Sequence, residues 1–114
     1  MEINVLLKSS SSPEPRTVIV VQDEAGLSFF CDCPAGERGR LCKHKKAVAS
    51  DDASMLYDEG QKDNFNRIKE WVSQSGYPAL MKELYEAENQ HEQEKEKLRD
   101  IKYKVMQAMN DGMK

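Results

Sequence analysis

Every cysteine of this 114-residue chain falls in one short segment that also holds a histidine: Cys31-Asp32-Cys33-Pro34-Ala35-Gly36-Glu37-Arg38-Gly39-Arg40-Leu41-Cys42-Lys43-His44, spaced C-x-C-x8-C-x-H. Three cysteines are an odd number and cannot close a disulfide framework. Zinc takes four tetrahedral nitrogen and sulfur donors, and two ligand pairs joined by a loop supply them at little closure cost, because each pair is already local in sequence. Pro34, Gly36 and Gly39 let the intervening loop turn back on itself. The segment therefore predicts a Zn2+ site on Cys31, Cys33, Cys42 and His44, with no position left open for a substrate. Two other readings use the same residues. Cys42 and His44 as a catalytic pair is disfavoured, because side chains two apart at a helix start point to different faces. Oxidation of the thiols with release of the metal is compatible with them.

The surroundings of this segment read as a small α+β module. Ile3-Asn4-Val5-Leu6-Leu7 and Thr17-Val18-Ile19-Val20-Val21-Gln22 are β-branched-rich runs bounded by the Ser9–Ser12 stretch with Pro13 and Pro15, and by Asp23-Glu24-Ala25-Gly26. Leu27–Cys31 continues as a third strand after a hairpin turn of suitable length and glycine content. Lys43–Ala49 is a short helix, broken by Ser50-Asp51-Asp52. The expectation is an antiparallel hairpin or three-stranded sheet fixed by zinc to a short helix, followed by a helical extension. Metal-dependent folding would offset the small core available to residues 1–50.

The C-x-C, variable loop, C-x-H pattern resembles the SWIM-type zinc finger over about residues 16–50. The proline after the second ligand, Leu41 before the third, and Lys45-Lys46-Ala47-Val48-Ala49 after the histidine are similar to the family's usual surroundings. The resemblance implies metal ligation by Cys31, Cys33, Cys42 and His44 on a strand-strand-helix scaffold, and a role in DNA binding or protein–protein interaction. SWIM modules occur in chromatin-remodelling ATPases, transposase-related proteins, ubiquitin-pathway proteins and recombination accessory factors. No ATPase, transposase or kinase sequence accompanies the module here, so no enzymatic activity is carried over. Residues 51–114 show no such resemblance.

Charge divides the chain. Up to Ser50 there are seven basic and six acidic residues, and beyond it ten and fourteen, or +1 and −4 of the net −3. Arg38, Arg40, Lys43, Lys45 and Lys46 cluster around the expected metal, with Glu37 the nearby acid. They suit phosphate contacts of DNA or RNA, or they compensate the −1 charge of three thiolates on Zn2+. Phe65, Ile68 and Trp71 predict a core-facing helix over about 62–75. Beyond it, a long helix is expected over about 78–110, with Leu80, Leu84, Ala87, His91, Glu94, Leu98, Ile101, Val105 and Ala108 in a heptad seam that is polar in its middle. That seam would serve internal packing, a homodimer or a protein partner. No apolar run is long enough to span a bilayer and no signal-peptide pattern opens the chain, so a cytoplasmic location, or a nuclear one in a eukaryote, is expected. The expected function is a non-enzymatic zinc-finger adaptor that binds a protein partner, as an inhibitor or accessory factor, with nucleic-acid binding as the alternative.

Overall fold

The computed structural model describes all residues except 10 and 90–94, and the backbone alone of Lys95. Strands β1 (Glu2–Leu7), β2 (Arg16–Asp23) and β3 (Gly26–Cys31) form an antiparallel sheet in the order β1-β2-β3. Period-two alternation assigns its faces. Ile3, Val20 and Phe29 lie side by side, and so do Val5, Val18 and Cys31, all pointing into the core. On the opposite face Phe30 stands 43% exposed beside Ile19. Gly26 takes φ +116° to close the β2–β3 turn, whose Asp23 carboxylate accepts the Ala25 N–H at 2.9 Å.

Among the described residues five α-helices follow: the single turn α1 (Pro34–Glu37), α2 (Lys43–Ala49), α3 (Lys62–Ser73), α4 (Tyr77–Asn89) and α5 (Lys95–Asp111). The expected α+β class, the three strands, the short helix and the first tail helix are all present. The turn α1 was read from sequence only as a loop.

Over 78–110 the described residues form two helices, α4 and the long C-terminal α5, and no single straight rod. Such a rod would be about 50 Å long, whereas the longest dimension of the molecule is 41 Å. Instead α4 and α5 pack against each other, with Lys104 Nζ facing Glu83 Oε2 at 3.9 Å. Leu80, Leu84 and Val105 of the expected seam are buried in the core of a single chain. The polar middle of the seam, with His91 and Glu94, lies outside the described residues.

The core also ignores the compositional boundary at Ser50. It runs from Ile3 through Phe29 to Ile68, Tyr77 and Met109. After α5 the chain reaches the edge of β3, where Leu27 and Met113 exchange both backbone hydrogen bonds at 2.8 and 3.0 Å. Tyr77 joins the same place from α4: its ring meets Phe29 edge-on at 4.9 Å, and its hydroxyl lies 2.6 Å from the Leu27 carbonyl and 3.0 Å from that of Ala108. A radius of gyration of 13.6 Å matches one compact body of this length, for which about 13 Å is expected.

Candidate metal centre

Cys31 ends β3 on the core side of the sheet, and the extended chain carries Cys33 to the same side two residues later. From there both remaining cysteines act as helix caps. Cys33 is the N-cap of α1 and its sulfur accepts the Gly36 N–H at 3.3 Å. Cys42 is the N-cap of α2 and its sulfur accepts the Lys45 N–H at 3.4 Å. Each helix start thus offers an amide to a sulfur, and at Cys42 that amide favours the thiolate over the thiol. Gly36 is required at close quarters, since a Cβ there would sit 2.4 Å from the Cys31 carbonyl oxygen.

His44, the second residue of α2, completes the group. Its Nδ1 lies 3.7 Å from Cys31 Sγ, and its Nε2 lies 3.1 Å from the Lys8 carbonyl oxygen. A carbonyl only accepts, so Nε2 carries the hydrogen and Nδ1 turns its lone pair towards the sulfurs. All four side chains are buried, and their donor atoms lie within 4.8 Å of one another. Tetrahedral coordination, at roughly 2.3 Å to sulfur and 2.0–2.1 Å to nitrogen, spaces neighbouring donors by about 3.5–3.8 Å. The Cys31–His44 separation, at 3.7 Å, already falls in that range, and no donor pair exceeds 4.8 Å.

The thiols are electrostatically prepared for a cation. The hydrogen bond with Cys31, helped by the Lys45 amide and opposed by burial, holds the Cys42 thiol down at about 4. That same contact, followed by burial, pushes Cys31 up. Buried and free of disulfides, Cys31 and Cys42 cannot ionise together unless a positive ion sits beside them. The donor set, its burial and its spacing fit a metal ion held by four protein ligands.

No protein-family model matches the chain, and no curated protein or solved structure does. The resemblance to SWIM fingers thus stands on the ligand spacing and on the convergence of these four side chains.

The basic residues around the centre separate into two groups. Arg38, Arg40 and Lys43 are exposed, as a phosphate contact needs. Lys45 and Lys46 depart from the expectation of one five-residue face. Lys45 is fully buried on the core side of α2, with no hydrogen-bond partner for its Nζ among the described residues. Lys46 forms a half-buried ion pair with Glu88 and lies 5.0 Å from the centroid of the Tyr85 ring, tying α2 to α4. No sequence signal marks Asn110, whose side-chain amide donates to the Gly39 carbonyl at 2.7 Å and so braces the Arg38–Arg40 turn from α5. Nor did it point to the Lys8 carbonyl, because a main-chain oxygen leaves no trace in residue type.

Proposed function

We propose that this chain is a zinc-finger-type adaptor, a non-enzymatic binding protein whose Zn2+ is structural. The observation that supports it is that four protein donors converge from β3, α1 and α2 in a buried cluster, leaving no coordination position for a substrate. Zinc is favoured by three soft thiolates with one imidazole. In this reading the ion fixes the end of the sheet to α2, and the surface of the assembled molecule recognises a protein partner. Affinity purification of a tagged copy, followed by reconstitution with each purified candidate and light scattering, tests the adaptor role. A defined complex is expected. A chain that stays monomeric and forms no complex with any of them contradicts it.

Nucleic-acid binding is the second reading, favoured by the exposed Arg38 and Arg40 on a turn held in place by Asn110. With Lys45 buried and Lys46 paired, it rests on Arg38, Arg40 and Lys43. An Arg38→Glu and Arg40→Glu double variant should then lose binding to duplex and single-stranded DNA and to RNA at low salt. Unchanged binding sinks this reading.

A further inference from the structure

Strand β1 is an outer strand of the sheet, and the backbone groups along its free edge are engaged one after another. The Asn4 carbonyl accepts from Asn64 Nδ2 at 2.9 Å, and the Leu6 N–H donates to Gln61 Oε1 at 2.9 Å. The Leu6 carbonyl accepts from the Tyr57 N–H at 3.0 Å, and the Lys8 N–H donates to the Met55 carbonyl at 2.8 Å. The next group in the row is the Lys8 carbonyl, and its partner is His44 Nε2 at 3.1 Å. The row therefore starts on α3, passes through residues 55–57, and ends on a metal ligand.

We propose that metal occupancy at His44 Nδ1 locks the free edge of β1, so that the ion governs how residues 55–57 dock on the sheet. This rests on the reading of Cys31, Cys33, Cys42 and His44 as metal ligands. A neutral imidazole exchanges its hydrogen between the two nitrogens, and in one tautomer Nε2 has nothing to donate to Lys8. A metal on Nδ1 excludes that tautomer, fixes the ring and polarises the Nε2–H towards the carbonyl. Lys8 then holds two bonds on this edge, its carbonyl accepting from the metal centre and its N–H donating to Met55. When the metal leaves, the row opens from its Lys8 end. The unpaired edge left behind is a template for another strand.

Amide hydrogen exchange on the full chain, with and without one equivalent of Zn2+, reads this directly. Metal binding is followed on the same preparation by the thiolate-to-metal absorption of Co2+. Zn2+ should slow exchange at Lys8 and Tyr57 by about tenfold or more relative to the core amide of Val20. A His44→Cys variant keeps four donors but has no ring N–H for Lys8. In it Co2+ should still bind, while Lys8 and Tyr57 keep their metal-free rates relative to Val20. Absence of the Co2+ band in the parent chain overturns the metal reading itself and the proposal with it. A normal Co2+ band with Lys8 and Tyr57 unmoved, or slowed equally in His44→Cys, overturns the coupling alone. Should the variant fail to fold, the imidazole carbon shifts of His44 in the Zn2+-loaded parent decide. Coordination through Nδ1 is required, and coordination through Nε2 contradicts the proposal.

Discussion

His44 and Lys45 are neighbours in sequence with opposite legibility. His44 could be singled out because a histidine two residues after a cysteine completes a four-donor set, and the structure brings it to the other three. Lys45 looked like an exposed cation because lysines usually are, yet it faces the core from α2. Residue type carries ligand chemistry well, but it carries little about which way a short helix is rolled. Gly36 shows the same gap: its role comes from the approach of its Cα to the Cys31 carbonyl, visible only once the turn is folded. Gly36→Ala should weaken metal affinity by roughly 10–100-fold, as loss of outer-sphere support typically does, measured by competition with a chromogenic chelator. Tyr77 supports the opposite end of the core. Tyr77→Phe should cost about 1–2 kcal/mol in urea denaturation, since the Leu27 and Ala108 carbonyls lose a donor. Burial raises the Tyr77 pKa, so the unfolded chain releases this proton first. The stability Tyr77 confers is intact below about pH 10 and falls as pH rises beyond it. That alkaline fall should be shallower in Tyr77→Phe than in the parent.

The strands, α2 and α3 were readable because each carries its own signal: period two over β1 and β2, a Gly-containing turn before β3, and apolar residues at helical spacing in α3. The α4–α5 pair was not, because the heptad pattern runs on through residues 88–97 with neither glycine nor proline to mark a reversal. Periodicity says which side of a helix is apolar, not whether its partner is another chain or its own continuation. The structure answers with self-packing, and this has a measurable consequence. Leu84→Ala should destabilise the protein by roughly 2–5 kcal/mol, the usual range for a fully buried leucine. The unfolding midpoints of parent and variant should both be independent of protein concentration, whereas a seam shared between two chains would shift them with concentration. The edge of β1 was equally illegible, since Gln61 and Asn64 reach it from 55 and 60 residues away.

Composition divides the chain into a metal-binding head and a helical tail, and one core joins the two through the Leu27–Met113 pairing, Tyr77, and the Lys46–Glu88 ion pair. Metal removal should therefore disturb more than residues 1–50. Structural zinc contributes a large share of the stability of a small module, so chelation should lower the urea midpoint of one cooperative transition in which the near-ultraviolet circular dichroism of Trp71 and Tyr77 is lost together with the sheet. The adaptor reading and the locking of the β1 edge both require that the four clustered side chains hold one ion. Native mass spectrometry of the purified chain, set beside that of Cys33→Ser, measures it most directly. One zinc per chain in the parent, removed by chelator and absent or much weakened in the variant, is the predicted result. A parent chain that takes up no zinc from solution, or a variant that binds it as tightly, would contradict it.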